Sequence, residues 1–145
     1  MVFIDANIPM YAAGAPSSHK ERCIQILSWV GEGRLAAATD AEVFQEILYR
    51  YFHIRRMDIG HIVFDSLRTV IEQVLPVSAD CLWLARDLAS RYPTVPPRDL
   101  LHVAIMVRHG IRQIVSADTD FDDIAEVERL DPLTMLEPPV SNADG

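Results

Sequence analysis

Along this chain, short apolar runs alternate with stretches in which apolar residues return every three or four positions. The first kind predicts buried strands and the second amphipathic helices. Val2-Phe3-Ile4 reads as a strand that ends at Asp5. Ser18 and Glu21 form a capping box for a helix carrying Cys23, Ile26, Leu27 and Val30, which Gly31 and Gly33 stop. Leu35 to Ala38 predict a second strand. Thr39 and Glu42 form another capping box, and Val43, Ile47, Leu48 and Tyr51 give the helix behind it an apolar stripe. A further helix is expected over residues 59–72, with Ile59, Ile62, Val63, Leu67, Val70 and Ile71 inward. Val74, Leu75 and Val77 predict a short strand. Ser78 then caps a helix carrying Leu82, Leu84, Ala85, Leu88 and Ala89.

Pro93, Pro96 and Pro97 force a loop. Pro97 suits a helix start, where its missing N–H costs nothing. The helix from about Asp99 to His109 is apolar nearly all round, which predicts burial. Gly110 ends it, Ile114 and Val115 form a strand, and Leu133 to Leu136 read as a final edge strand. Residues 138–145 read as a flexible tail, leaving residues 1–137 as one domain. Strands alternating with helices predict an α/β fold, a mostly parallel sheet with helices on both faces. Sites in such sheets lie beyond the carboxyl ends of the strands.

Composition bounds the function. A chain of 145 residues fits one domain that needs no disulfide or structural metal for stability. Cys23 and Cys81 lie in helical apolar patterns, with no metal-ligand spacing, and read as reduced core thiols. No leader or membrane span is legible, so a cytoplasmic protein is expected. The net charge of −8 argues against a broad basic surface for nucleic acid. It leaves room for a nucleic-acid enzyme with an acidic site and a small basic rim.

Four acids gather at the predicted strand ends. Asp5 closes the first strand, Asp118 follows the Ile114-Val115 strand, Asp99 starts the buried helix, and Glu46 flanks the stripe of the helix after the second strand. Two unit charges about 4 Å apart repel by roughly 4 kcal/mol at an effective dielectric near 20. Such a cluster needs protons or cations, and the only lysine, Lys20, is remote in sequence. Hard oxygen ligands suit Mg²⁺ or Mn²⁺, which can serve phosphodiester hydrolysis. Each acid also has a plainer reading: Asp99 as a helix cap, Asp118 within an acidic turn with Asp120, Asp122 and Asp123, Glu46 as a surface residue. Glu42, explained by its capping box, is the weaker alternative to Glu46.

The blocks Val2-Phe3-Ile4-Asp5-Ala6-Asn7, Phe44-Gln45-Glu46-Ile47-Leu48, Arg98-Asp99-Leu100-Leu101-His102-Val103-Ala104 and Ile114-Val115-Ser116-Ala117-Asp118-Thr119-Asp120-Phe121 resemble a PIN domain. The type they are most similar to is the VapC toxin ribonuclease of toxin–antitoxin pairs. The resemblance spans residues 2 to about 136 and rests on the order and placement of the blocks. It implies a Rossmann-like, mostly parallel sheet and a Mg²⁺- or Mn²⁺-dependent endoribonuclease. Asp5 and Asp99 would be the principal metal ligands. Glu46 and Asp118 would complete the acidic pocket, directly or through water, with Asp120 the alternative to Asp118. Asn7 and Ser116, the latter where the family often has threonine, would orient the carboxylates. The resemblance also implies a homodimer and a VapB-type antitoxin whose tail occupies the active-site groove.

RNA needs cations at the rim, and Arg50, Arg55 and Arg56 at the end of the Glu46 helix are the candidates. The plainer reading is that they answer the helix dipole. Arg98 is a weaker candidate, and His102 reads as a packed, hydrogen-bonded histidine rather than a proton carrier. A phosphatase-like domain would place a carboxylate where Asn7 stands, and a phosphoacceptor receiver would need a lysine after a late strand.

Overall fold

The computed structural model describes residues 1–140. Its strands are β1 (Val2–Ile4), β2 (Ala37–Asp40), β3 (Gln73–Leu75), β4 (Gln113–Val115) and β5 (Glu128–Leu130). They form one sheet in the order β3-β2-β1-β4-β5, and every pairing is parallel. The helices are α1 (Asn7–Ala12), α2 (Ser18–Gly31), α3 (Ala41–His53), α4 (Met57–Val70), α5 (Ala79–Arg91) and α6 (Pro97–Arg108), with a 3₁₀ turn at Thr119–Asp123. The parallel α/β expectation therefore holds. Strand order reverses between β1 and β4, so the crevice beyond their carboxyl ends is the switch point where such folds build sites.

The core follows from the sequence pattern. Phe3, Ile4, Ile8, Ile26, Ile47, Leu100, Ile105, Ile114 and Phe121 are fully buried. In α6 every residue from Leu100 to Met106 is buried, His102 included, as a helix apolar nearly all round predicts. Pro97 does open this helix. Both cysteines are free and buried, and burial pushes the Cys23 thiol up to about 12. Among the described residues no helix is long and apolar enough to cross a membrane.

Several local expectations are corrected. The second strand begins at Ala37 instead of Leu35, because Arg34 and Leu35 still donate their backbone N–H groups to Trp29 O at the end of α2. Asp40, not Thr39, caps α3: its Oδ1 accepts from Val43 N, while the Thr39 hydroxyl donates to Ile4 O. Ser17, not Ser18, caps α2. Helix α1 was not expected; Pro9 in its first turn is compatible with helix and was its one signal. Leu133 to Leu136 form no strand. The edge strand is β5, whose Glu128 and Arg129 mask its short run, and the chain turns just after it at Asp131–Thr134. Ile62 and Leu82 face solvent, so the stripes of α4 and α5 are narrower than expected. Residues 138–140 extend without regular structure, and the remaining tail positions 141–145 lie outside the described residues.

Gly60 shows how closely α4 packs on α3. A Cβ added there would sit 2.7 Å from Tyr51 Cβ. Gly60→Ala should therefore destabilise the chain by about 1–3 kcal/mol, as overpacking does, although alanine is the better helix former. A shift in the urea midpoint checks this.

Candidate active site

Asp5 follows β1 directly, and its backbone N–H continues the ladder to Val115 O. Its carboxylate is only 4% exposed, so it needs partners to stay charged. Oδ1 accepts from Ala6 N at 2.8 Å, and Oδ2 accepts from the Ser116 hydroxyl at 2.6 Å and from Asn7 Nδ2 at 3.2 Å. Asn7 Nδ2 also donates to Ser116 Oγ, and its Oδ1 accepts from Ala117 N. The loop ends after β1 and β4 are thus knitted together under one carboxylate. Burial still holds the Asp5 pKa above the ordinary carboxylate value, with the Glu46 charge adding to the rise.

Asp99 and Asp118 stand beside it. Asp118 caps the 3₁₀ turn, accepting from Asp120 N at 2.9 Å. Ligand oxygens of Asp99, Asp118 and Asp120 lie within 4.8 Å of one another. Burial first, then the charges of Asp5 and Asp118, push Asp99 up to about 8. No lysine or arginine forms an ion pair with Asp5, Asp99 or Asp118 among the described residues. Three carboxylates gather with no lysine or arginine paired to them, the charge of His102 lowering Asp5 and Asp99 only in part, and such an oxygen donor set suits a hard divalent ion. Asp120, the alternative to Asp118, sits at the solvent edge of the same group, where the Asp118 charge raises its pKa.

Glu46 lies on the opposite wall. Its Oε1 is 2.6 Å from His102 Nε2, and the other ring nitrogen, Nδ1, is 2.6 Å from Asp40 Oδ2. His102 is wholly buried, which lowers its pKa, but the two carboxylates more than offset this and hold it well above the usual histidine range. Ligand atoms of Asp5, Glu46 and His102 also fall within 4.8 Å of one another. Arg98 spans Glu42 at 3.4 Å and Glu46 at 3.8 Å, and its guanidinium lies over the Tyr49 ring. Glu42 therefore belongs to the rim.

All four predicted acids are brought to the β1/β4 crevice, and Asn7 and Ser116 contact Asp5. The chain matches the PIN domain family over residues 2–127. It is 39% identical over 130 residues to ribonuclease VapC13 of Mycobacterium tuberculosis, covering 90% of this chain and 99% of that one. This chain belongs to the PIN-domain family of VapC ribonucleases. Ribonuclease VapC23 of the same organism is 32% identical over 81% of this chain and 93% of its own. Among solved structures, VapBC2 from Rickettsia felis, bound to a DNA fragment of its promoter, superposes with a TM-score of 0.71. It is 17% identical and covers 90% of this chain and 98% of that one. That likeness is one of fold.

Two residues of the site's surroundings, Asp40 and Arg129, escaped the sequence reading, and His102 was read without its partners. Asp40 was hidden because Thr39, next to it, stands at capping-box spacing from Glu42. His102 was read correctly as packed and hydrogen-bonded, but its two carboxylate partners come from α3 and the residue before it, 56 and 62 positions away. Arg129 on β5 donates to both Asp122 oxygens and to Ser116 O, pinning the turn that carries Asp118. The error in the edge strand concealed it.

Proposed function

We propose that this chain is the toxin of a toxin–antitoxin pair and an endoribonuclease that hydrolyses RNA with Mg²⁺ or Mn²⁺ at the β1/β4 crevice. The observation that carries the reading is the meeting of Asp5, Asp99 and Asp118 with no lysine or arginine paired to them, in a chain so similar to VapC13. Asp5 and Asp99 would hold the ion, with Asp118 beside them and Glu46 completing the acidic pocket. An ion held by these carboxylates would supply Lewis acidity for hydrolysis of the phosphodiester by water. Ser116 and Asn7 fix the direction of the Asp5 carboxylate, which would otherwise rotate to find its own partners. Burial and the charges of Asp5 and Asp118 push Asp99 up to about 8, so it would have to give up a proton to ligate.

The partners on this reading are RNA, a VapB-type antitoxin and a second copy of the chain, meeting in the cytoplasm. Arg50 and Arg55 are exposed at the end of α3 and would hold phosphates. Arg55 adopts a left-handed backbone with φ 58° because it closes α3, donating its N–H to Phe52 O while Arg56 N–H reaches Tyr51 O. Arg56 forks onto Asp58 at 3.1 Å through two nitrogens, so it must exchange that carboxylate for a phosphate.

Purified chain with Mg²⁺ should cut single-stranded RNA to products with 5′-phosphate and 3′-hydroxyl ends, because water is the attacking group. Excess EDTA should stop it. Cleavage that persists in EDTA contradicts the reading. In the same assay, Arg55→Ala/Arg56→Ala should flatten the dependence of log binding on log salt by about 1–2 in slope. An unchanged slope removes these arginines from the RNA path.

A further inference from the structure

A cleft of about 540 Å³ opens beside the acids, between α1, the end of α3 and the start of α4. A space of roughly 300–1,000 Å³ takes an organic group, far larger than an ion. Asn7 lines it at one end, and the same side chain donates to Asp5 Oδ2 at 3.2 Å. The cleft therefore begins one residue away from the acidic pocket. Arg50 lines it too, exposed and one helical turn past Glu46 on α3. Met10, Ile54 and Ile59 give it apolar walls.

Tyr11 gives the cleft its chemistry. Its ring lines the cleft and is 39% exposed, while His19 stacks on it from α2, with centroids 4.6 Å apart and planes 18° apart. The ring is thus held in one orientation, with surface left for a second flat group. The turn behind it is fixed as well: Gly14 N–H donates to Tyr11 O, and Lys20 Nζ donates to Gly14 O at 2.8 Å. A site built before its ligand arrives loses less freedom on binding. A held aromatic face, apolar walls and a neighbouring guanidinium match the two halves of a nucleotide. The base stacks on the ring and the phosphate meets the arginine. An apolar side chain of a protein would use the walls and leave the arginine without an anion.

We propose that this cleft is a subsite for one unpaired nucleobase of the RNA, beside the phosphate that is cut, with Tyr11 as its stacking platform. The proposal rests on the ribonuclease reading above and names the class of substrate: single-stranded or looped RNA, in which a base is free to leave its stack.

The test uses the full chain in EDTA, so that nothing is cut, and a short single-stranded oligoribonucleotide of mixed sequence at low salt. Tyr11→Ala should weaken binding by about 5- to 100-fold, the range that base–aromatic stacking spans, and Tyr11→Phe, which keeps the ring face, should stay within about threefold of the parent. Tyr11 is partly exposed, so Tyr11→Ala should still melt cooperatively. Replacing one base at a time by an abasic site tests the parent without any variant. At one position the abasic site should cost the parent the same factor and cost Tyr11→Ala nothing further. Annealing the oligomer to its complement should remove the difference between the two proteins. Equal affinity of the parent and Tyr11→Ala overturns the proposal and leaves the cleft to a protein partner. No measurable binding by the parent, or no position at which the two losses overlap, overturns it as well. The expected pattern in a chain that cuts no RNA with Mg²⁺ would uphold the subsite and remove the ribonuclease reading. Cleavage without the pattern would do the reverse.

Discussion

Asp99→Asn should lower RNA cleavage by about 10³-fold or more and, in the same protein, make metal-free stability less sensitive to pH. The first effect follows if a ligand to the ion supplies several kcal/mol of transition-state stabilisation, at about 1.4 kcal/mol per tenfold. The second follows from linkage. Asp99 has an ordinary value of 3.8 and is pushed up to about 8 in the folded chain by burial and by Asp5 and Asp118. Between those values the folded state keeps a proton that the unfolded chain has released. Stability therefore falls as pH rises from about 4 to about 8. Asparagine never ionises, so it removes this part of the decline, while the raised Asp5 leaves a residual slope. Thermal melts in EDTA at pH 5 and pH 8 check it: the parent should lose more Tm across that interval than the variant. Mg²⁺ should restore the parent at pH 8 and do little for Asp99→Asn. Equal pH slopes in the two proteins would contradict the account of Asp99.

His102→Leu should cost about 3–5 kcal/mol, the usual penalty for removing one partner from a buried ionic cluster. It strands Asp40, which is 0% exposed and keeps only its cap to Val43 N, and it releases Glu46. Because the folded pKa of His102 lies well above its ordinary 6.5, the contribution of its two ion pairs is full below about 6.5. It declines as pH rises above about 6.5 and is gone once pH passes that higher folded value. The loss in His102→Leu should accordingly be greatest at pH 6 and below and shrink as pH rises past 7. Adding Asp40→Ser, which keeps a capping oxygen and removes the stranded charge, should recover a substantial part of it. Urea midpoints of the two single variants and the double variant close the cycle. Additive losses would mean that Asp40 and His102 do not act as a pair.

How far the sequence was legible depended on whether the signal was local. Val2-Phe3-Ile4-Asp5 shows a buried run meeting a charge, and both the strand and the acid can be read from four letters. Helix α6 is legible for the same reason, since an all-round apolar stretch behind Pro97 has one stable place, the interior. Asp118 could be placed at the end of β4 but not distinguished from Asp120. In the fold both bring a carboxylate oxygen within 4.8 Å of Asp99, Asp118 as the cap of the 3₁₀ turn and Asp120 nearer the solvent. Three-residue strands such as β5 lie below what alternation can reveal, and Glu128 and Arg129 look like loop residues until β4 lies beside them. Thr39 and Asp40 compete as caps on paper. The contest is settled by register, because pairing with β1 turns the Thr39 hydroxyl to Ile4 O and frees Asp40 for Val43. Partners of His102 more than fifty positions distant leave no trace in the local pattern.

The net charge of −8 changes meaning once the acids are placed. Four of the acids face one pocket, so part of the acidity belongs to the chemistry of a site. RNA would then be met by bound metal and a few arginines, with no broad basic surface. The most direct test is to map RNA 5′ ends in cells after brief induction of the chain and, in parallel, of Asp5→Asn. New 5′-phosphate ends at a limited set of sites with the parent, and none with Asp5→Asn, are the predicted result. The same ends with Asp5→Asn, or none with a well-expressed parent, would contradict it.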